Sequence, residues 1–452
     1  MTATIESFEQ LPLVPELHRA LEDLHYSTPS PVQARSIPPL LDGKDVVGCA
    51  QTGTGKTAAF ALPILHHLAM HPDHPVANCA RALVLTPTRE LAVQVGDSFS
   101  RYGRHLRTKV CLVYGGVSQV PQVKKMRRGV DILVATPGRL LDLMDQGHVS
   151  LERVEFLVLD EVDRMLDMGF VHDVKRIAGE LPENRQTALF TATLDGPVRR
   201  VAESFVTKPV QVRIDPGKPV VERIVQTVCH VRPENKAPLL EFLLTDKYGE
   251  ARQGRTLVFS RTKHGAARLA KRLSIAGIES DAIHGNRTQA ARQKALERFR
   301  SGAVPVLVAT DVAARGIDVT AVAMVINFDL PSDADTYVHR VGRTARAEAS
   351  GRAVSFCDGD TLKDLQQIER RIGTRIQLDR EHPFHDPGLS RRTQSKERRT
   401  QSEKTRRWSE KSGPRSQRKG TTRRVASKPH SKPGAGRGPT PRNLRTRKRD
   451  KR

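Results

Sequence analysis

Residues 45–57 read Asp-Val-Val-Gly-Cys-Ala-Gln-Thr-Gly-Thr-Gly-Lys-Thr, a short apolar run followed by a loop of small residues. A helical pattern follows at residues 58–68. The order strand, tight loop, helix begins a βαβ unit, in which parallel strands are covered by helices on both faces. This stretch therefore predicts an α/β fold built on a parallel sheet.

The same alternation of short β-branched runs with longer helical patterns continues on both sides of a predicted linker, Asp-Pro-Gly-Lys-Pro-Val-Val at residues 215–221. It predicts two doubly wound parallel-sheet domains, at residues 1–215 and 222–388, joined by a linker at 216–221. The predicted strands are 45–49, 82–85, 109–114, 131–135, 156–159 and 188–191, then 256–259, 281–284, 306–309, 324–328 and 353–356.

The charge of the chain is concentrated at its C-terminal end. The formal net charge is +25, and residues 390–452 carry 24 Lys+Arg against 4 Asp+Glu. Residues 389–452 contain few apolar side chains, which predicts a disordered basic tail that binds RNA without specificity. A solubilising extension is the alternative, and membrane binding is disfavoured because no apolar face is present.

Other sequence features exclude several classes of protein. The N-terminus has no secretory signal pattern, and no run of about 18 apolar residues is present, so we expect a cytoplasmic protein without a membrane-spanning helix. The five cysteines are scattered without a C-x-x-C pair, which favours buried thiols over a metal site.

The loop after the first strand has the composition of a phosphate site. Small residues allow successive backbone N–H groups to surround phosphate oxygens at a helix N-terminus. Lys56 would contact the β and γ phosphates, and the Thr57 hydroxyl would bind Mg²⁺. A chance glycine-rich turn is the alternative. The predicted nucleotide-binding residues here are Ala50, Gln51, Thr52, Gly53, Thr54, Gly55, Lys56 and Thr57.

A second signal lies one hundred residues downstream, where the buried run 156–159 ends in Asp160-Glu161-Val162-Asp163. A carboxylate at the carboxyl end of such a strand lies beside the phosphate loop, so Asp160 is expected to hold Mg²⁺, partly through water. Glu161 is placed to act as a general base or to orient the attacking water. A simple helix N-cap is the alternative. GTP is disfavoured because the guanine-reading pattern Asn-Lys-x-Asp is absent.

These motifs, in this order, resemble the DEAD-box RNA helicases from Phe8 to about residue 346. The family has an adenine-reading Q motif, matched here by Phe8 and by Tyr26-Ser-Thr-Pro-Ser-Pro-Val-Gln33. The resemblance implies two RecA-like domains, that Phe8 stacks on adenine and that Gln33 hydrogen-bonds its edge, with Tyr26 also at the nucleotide. It implies RNA-stimulated hydrolysis of ATP.

The resemblance also implies RNA contacts and a coupling motif in the first domain. Thr191-Ala-Thr193 replaces the family's Ser-Ala-Thr and would link Asp163 to the second domain, together with His339. Arg89 and Arg139 would contact phosphates as bidentate donors, and neighbouring hydroxyl or backbone groups would add contacts. The implied RNA-binding residues are Pro87, Thr88, Arg89, Gly115, Gly116, Thr136, Pro137, Gly138, Arg139, Arg292 and Thr310.

The second domain has no Gly-Lys-Thr and so binds no nucleotide of its own. The stretch His339-Arg-Val-Gly-Arg-Thr-Ala-Arg346 matches the family's arginine fingers, Arg343 and Arg346, which stabilise charge on the transferring phosphoryl group. Asp318 matches the ribose contact.

Taken together, these matches predict an ATP-dependent RNA helicase that unwinds short duplexes or remodels RNA–protein complexes. Two alternatives stay open at this point. One is an RNA clamp whose ATPase only sets residence time, and the other is a DNA translocase. Contacts to the backbone and 2′-OH imply little sequence specificity.

Overall fold

The computed structural model describes residues 5–51, 53–194, 196–214, 224–247, 254–314, 322–344 and 351–390, without the side chains of Val312 and Ala314. The predicted linker and nearly all of the predicted tail lie outside these ranges, so their boundaries stay predictions. Thr52, Asp318 and Arg346 lie outside them as well. None of the helices in the described ranges combines the length and apolar character needed to cross a lipid bilayer.

The first half of the chain forms a seven-stranded sheet whose strand pairs are all parallel, in the order β3-β4-β2-β5-β6-β1-β7. Its strands are β1 (Val46–Cys49), β2 (Ala82–Leu85), β3 (Val110–Val113), β4 (Ile132–Ala135), β5 (Phe156–Asp160), β6 (Gln186–Thr191) and β7 (Val210–Arg213). Its helices are α1 (Pro15–Asp23), α2 (Pro31–Leu41), α3 (Lys56–Met70), α4 (Arg89–Tyr102), α5 (Val120–Met126), α6 (Pro137–Asp145), α7 (Val162–Asp167), α8 (Val171–Gly179) and α9 (Gly196–Glu203), after a 3₁₀ turn at Phe8–Gln10.

The second half repeats this plan, in the strand order β10-β11-β9-β12-β13-β8-β14 and again with parallel pairs. Its strands are β8 (Ile224–His230), β9 (Arg255–Phe259), β10 (Ser280–Ile283), β11 (Val306–Ala309), β12 (Val322–Asn327), β13 (Gly351–Cys357) and β14 (Gln377–Asp379). Its helices are α10 (Lys236–Phe242), α11 (Lys263–Ile275), α12 (Gln289–Arg300), α13 (Asp311–Ala314), α14 (Ala334–Val341) and α15 (Leu362–Ile372), with a 3₁₀ turn at Pro233–Asn235 and a π turn at Leu243–Lys247.

Burial on both faces explains why the central strands are continuous apolar runs. In β2, Ala82 and Val84 pack into the core on one face of the sheet, whereas Leu83 and Leu85 pack into the core on the other. Strands buried on both sides are the rule for parallel sheets. The predicted α/β class with two doubly wound sheets is confirmed.

Three strands were not predicted: β7, β8 and β14. Strands β7 and β14 are edge strands of four and three residues, and β8 lies next to β14. The edge strands β7 and β14 mix polar with apolar residues, as in Val-Gln-Val-Arg at 210–213, because an edge strand has one partner and more exposed surface. Strand β8 pairs with β13 and β14 on its two sides, and the polar pair Gln226-Thr227 interrupts its apolar run. The sequence therefore predicted six and five strands, where each sheet has seven.

Residues 380–390, here called the C-terminal strap, pack against the end of β8 in the second half. The Asp386 N–H donates to the His230 carbonyl at 2.9 Å, next to the end of β8. The Ser390 hydroxyl lies 3.0 Å from His230 Nδ1 and 3.2 Å from His385 Nε2. The strap thus fixes the last described residue against the sheet.

Candidate functional site

The loop between β1 and α3 is held in a tight, backbone-lined turn. Gly53 and Gly55 have φ of +85° and +89°, a left-handed conformation that glycine adopts without a Cβ clash. The Lys56 ammonium is buried and donates to the Ala50 carbonyl at 2.9 Å. Thr54 Oγ1 donates to the Gln51 carbonyl at 2.8 Å. The predicted strand–loop–helix context is present, with Thr57 in the first turn of α3.

Gln33 ties the predicted adenine site to this loop. Its Nε2 donates to the Gly55 carbonyl at 3.0 Å, and its Oε1 accepts the Ser30 N–H at 2.8 Å. A Cβ on Gly55 would lie 2.3 Å from Gln33 Nε2, so only glycine permits this approach. Gln33 is buried, unlike the surface residue that its type alone would suggest.

The two aromatic residues of the predicted adenine site have different exposures. Phe8 is 2% exposed in the core, because its 3₁₀ turn packs against α1. It meets Tyr26 edge-on at 6.2 Å between ring centroids. Tyr26 is 36% exposed. The more accessible of the two rings is therefore that of Tyr26, and the stacking of Phe8 on adenine stays a prediction.

The carboxylates follow β5 at the same sheet edge. Asp160 is buried, and in the described part of the structure its Oδ1 has no hydrogen-bond partner. Burial raises the pKa of the Asp160 carboxyl, and the charge of Lys56 opposes that shift. Glu161 has φ +57° and ψ +54°, a strained conformation for a residue with a side chain, and its carboxylate accepts from Arg164 NH1 at 2.6 Å.

Asp163 connects the acidic motif to the Thr-Ala-Thr motif after β6. Its Oδ2 accepts from the backbone N–H groups of Ala192 and Thr193 at 3.0 and 3.1 Å, and from Thr193 Oγ1 at 3.4 Å. Thr191 Oγ1 donates to the Thr193 carbonyl at 2.7 Å. The added methyl group of Thr191 is accommodated in a fully buried position.

A cavity of about 800 Å³ lies between the two halves of the chain, beside the phosphate loop and the carboxylates that follow β5. Arg343, which follows α14 in the second half, lines the same cavity as Lys56, Asp160 and Glu161. Of the other predicted nucleotide-binding residues, Tyr26, Gly53, Gly55 and Thr57 also line it. Residues that were not predicted extend the cavity along α4 and α12: Gln94, Asp97, Ser98, Arg101, Tyr102, Gln293, Glu297 and Arg300.

The predicted RNA contacts form a second group, after β2, β3 and β4. The Arg89 guanidinium lies directly on the Gly115-Gly116 turn, where a Cβ on Gly116 would be 1.9 Å from Arg89 NH1. Arg139 NH1 donates to the Val117 carbonyl at 3.3 Å. Thr88 is the N-cap of α4 and follows Pro87 directly. Thr136 is the N-cap of α6, whose first two residues are Pro137 and Gly138. Neighbouring strands thus bring these loops together.

Arg292 and Thr310, the predicted RNA contacts in the second half, are largely buried. Arg292 NH2 lies 2.9 Å from Glu90 Oε1 of the first half, and Gln289 Nε2 donates to the same oxygen at 3.1 Å. The structure therefore places the Arg292 guanidinium in an ion pair between the halves. Its role as an RNA contact stays a prediction.

His339 lies at the same junction. Burial lowers the pKa of His339, and the charge of Arg164 in the first half lowers it further, while Asp163 opposes the shift. His339 and Arg164 of the first half line the same small cavity, and the coupling role of His339 stays a prediction.

Two family profiles match the chain. Residues 30–201 match the family described as DEAD/DEAH box helicase, and residues 235–348 match the helicase conserved C-terminal domain. The DEAD-box ATP-dependent RNA helicase CshA of Bacillus cereus is 40% identical over 374 residues, which cover 83% of this chain and 69% of the relative. ATP-dependent RNA helicase DeaD of Buchnera aphidicola is 42% identical over 377 residues, covering 83% and 61%.

Solved structures agree with these sequence matches. The structure of Dbp5 from S. cerevisiae bound to RNA and ADP BeF3 superposes with a TM-score of 0.74 at 32% identity, covering 82% of this chain and 95% of that one. The DEAD-box helicase Mss116 bound to ssRNA and UDP-BeF gives a TM-score of 0.74 at 29% identity, covering 83% and 79%.

Proposed function

The chain belongs to the DEAD-box ATP-dependent RNA helicases, and from this premise we propose how its residues divide the work. The protein uses ATP, binds RNA and couples ATP turnover to local RNA unwinding or to remodelling of RNA complexes. The assignment of individual residues to these steps is our proposal, and one observation carries it. Arg343 of the second half shares a cavity with Lys56, Asp160 and Glu161 of the first half.

We propose that ATP binds in this cavity. The backbone of residues 50–57 and the Lys56 ammonium would bind its phosphates, Tyr26 would stack on adenine, and Gln33 would read the adenine edge while Phe8 supports Tyr26 from behind. Lys56 would exchange the Ala50 carbonyl for phosphate oxygens. Glu161 would orient or deprotonate the attacking water. Asp318, the proposed ribose contact, rests on the family resemblance alone.

The site has a donor set that suits Mg²⁺. Asp160 Oδ1 is buried and has no hydrogen-bond partner among the described residues, which is a costly state for a carboxylate oxygen unless a cation is bound. Carboxylate and hydroxyl oxygens are the ligands that Mg²⁺ prefers. We propose that Asp160 and Thr57 hold the ion, partly through water. Its chemical contribution is to neutralise charge on the β and γ phosphates.

RNA would bind across the loops after β2, β3 and β4, with Arg89 and Arg139 on its phosphates and Thr310 on the opposite half. ATP and RNA favour the closed cleft by binding it more tightly than the open one. Closure brings Arg343, and by resemblance Arg346, to the transferring phosphoryl group. Hydrolysis therefore waits for both ligands. The backbone-directed contacts imply little dependence on sequence.

The test is turnover by Arg343→Ala. Loss of an arginine finger should lower RNA-stimulated ATP hydrolysis by roughly 10³-fold or more, with ATP binding retained. Arg346→Ala should behave alike. Arg232→Ala is a control, because Arg232 pairs with Asp386 on the exposed surface of the second half. Near-normal turnover by Arg343→Ala would contradict the proposal that the active site lies between the two halves.

We also propose that the tail tethers RNA non-specifically. Its charge is spread over residues 390–452 with one aromatic, Trp408, so phosphate contacts must dominate over base stacking. Truncation after Leu389 should weaken RNA affinity and flatten its dependence on salt, while turnover at saturating RNA stays close to that of the full chain. An unchanged slope of log affinity against log salt would contradict the tether. A cytoplasmic location, testable by cell fractionation, completes the proposal.

A further inference from the structure

Arg164 is a buried cation beside the proposed general base and belongs to none of the predicted site residues. It is 3% exposed, and its NH1 donates to Glu161 Oε2 at 2.6 Å. Its backbone N–H donates to Asp163 Oδ1 at 3.0 Å and to the Glu161 carbonyl at 3.0 Å. The residue is therefore fixed to both acidic residues by its side chain and its backbone.

The surroundings of the Arg164 guanidinium come from the other half of the chain. It borders a cavity of about 20 Å³ whose remaining walls all belong to the second half: Phe259, Asp311, Thr336, His339, Arg340 and Arg343. Arg340 is itself neutralised by Asp311, at 2.6 and 2.8 Å. Arg164 thus lies between the carboxylate of Glu161 and the segment of the second half that carries Arg343.

We propose that Arg164 is a positioning residue that makes the orientation of the Glu161 carboxylate depend on closure of the two halves. An exposed ion pair is weak and screened by water, whereas a pair covered by protein is held in one geometry by stronger electrostatic attraction. Opening of the cleft would remove the covering wall and return the guanidinium to water.

The charges at the junction support this role. Arg164 faces Arg340, Arg343 and His339, so an unpaired Arg164 would repel the approaching second half. Its pairing with Glu161 neutralises that charge at the place where Arg343 has to approach. The strained backbone of Glu161, with φ +57°, also needs support from its neighbours to keep one orientation. Arg164 supplies that support through the side chain.

The test is steady-state ATP turnover by the full-length Arg164→Ala variant at saturating RNA. We expect kcat to fall by roughly 10- to 100-fold, as for a misplaced catalytic group, with the KM for ATP within about twofold of the parent. RNA affinity in the presence of a non-hydrolysable ATP analogue should change little. Arg164→Lys, which retains a cation for the single contact to Glu161, should recover most of the lost kcat.

Arg81→Ala is the matched control, because Arg81 is also buried and paired with a glutamate, Glu155, at 2.6 Å in the same half, away from the cavity. It should keep a near-parental RNA-stimulated kcat. If Arg164→Ala fails to fold, Arg164→Gln replaces it in the same measurement of kcat. Its side chain is neutral but can still donate a hydrogen bond.

The inference rests on the proposed role of Glu161, so Glu161→Gln is measured in parallel. Turnover by Glu161→Gln at the parental rate would overturn the role of Glu161 itself. An inactive Glu161→Gln together with a near-parental Arg164→Ala would overturn the role of Arg164 alone. Faster RNA-free turnover by Arg164→Ala would also overturn it, because Arg164 would then restrain Glu161.

Discussion

At the scale of single residues, Gly116 shows how an absent side chain can serve binding. Its φ of +78° and the position of Arg89 both exclude a Cβ, which would lie 1.9 Å from Arg89 NH1. Gly116→Ala should therefore displace the Arg89 guanidinium and weaken RNA binding by about tenfold, the loss of one charge-assisted contact, without weakening ATP binding.

Gly147→Ala is the control for that change. Gly147 has a similar φ of +70°, but nothing lies within 4 Å of its Cβ position, so it carries the same backbone strain without the clash. RNA affinities of the two variants, measured by fluorescence anisotropy, separate the two effects. An equal loss of RNA affinity in both variants would attribute the effect to backbone strain and would contradict a role for the displacement of Arg89.

Lys56 and Glu161 should fail in different ways when changed. Both Lys56→Ala and Glu161→Gln should abolish hydrolysis, but Glu161→Gln leaves the phosphate-binding backbone and Lys56 intact. It should therefore trap ATP together with RNA, whereas Lys56→Ala should lose affinity for ATP. Filter binding of labelled ATP with and without RNA checks the contrast, and trapping by both variants would contradict it.

Candidate site residues could be named from the sequence, but the contacts that their side chains make could not. Lys56 and Thr57 follow from the residue types that a phosphate loop requires, and Asp160 follows from its place at the carboxyl end of a buried strand. The burial of Phe8 and the pairing of Arg292 with Glu90 depend on how separate segments approach each other, and no local pattern records that. Arg164 was missed because an arginine in an amphipathic helix is ordinarily solvent-exposed.

At the scale of elements, the C-terminal strap should be sensitive to acid. His230 is buried beneath the strap, and this burial lowers its pKa to about 4. The charges of His385 and Arg380 lower the pKa further, whereas the charge of Asp386 opposes the shift. Burial also lowers the pKa of His382. A histidine with a lowered pKa binds fewer protons when folded, so its contribution to stability decreases as pH falls from about 6.5 towards 4.

Hydrogen exchange at the Asp386 amide, which donates to the His230 carbonyl, measures this effect locally. After correction for intrinsic exchange, protection should decrease on the order of tenfold between pH 7 and pH 5. His230→Asn, which cannot titrate, should flatten the dependence, and His74→Asn, at an exposed histidine of the first half, should leave it unchanged. A pH-independent protection in the parent would refute the assignment.

The elements themselves were predictable in proportion to their burial. Continuous apolar runs such as β2 and β11 were predicted with their observed bounds. A strand buried on both faces requires an apolar side chain at every position, which makes it visible in the sequence. Strands β7 and β14, at the sheet edges, were missed. Each of these strands is short and pairs on one side only, so its extended conformation depends on the neighbouring strand more than on its own sequence.

At the scale of the whole molecule, Glu90 joins the two halves through Arg292 and Gln289. Glu90→Ala should reduce the coupling between ATP and RNA binding. RNA affinity with a non-hydrolysable ATP analogue should fall by about 10- to 100-fold, a typical coupling energy, with a smaller change when nucleotide is absent. The exchange Glu90→Arg with Arg292→Glu should restore part of the loss.

Glu241→Ala is the comparison for Glu90, because Glu241 pairs with Arg272 at 2.5 Å within the second half. It should leave the coupling close to the parental value. Equal losses of affinity with and without nucleotide in Glu90→Ala would mean that Glu90 supports RNA binding directly and not closure.

The cavity that extends between α4 and α12 has a pharmacological consequence. At about 800 Å³ it has the size of sites that accept drug-like molecules, and its walls come from both halves of the chain. A compound that contacts both walls can bind only when they face each other, so it stabilises the closed cleft. Such a compound would hold the protein on its RNA. The expected effect is therefore an enzyme that stays on its RNA, which differs from simple loss of the enzyme.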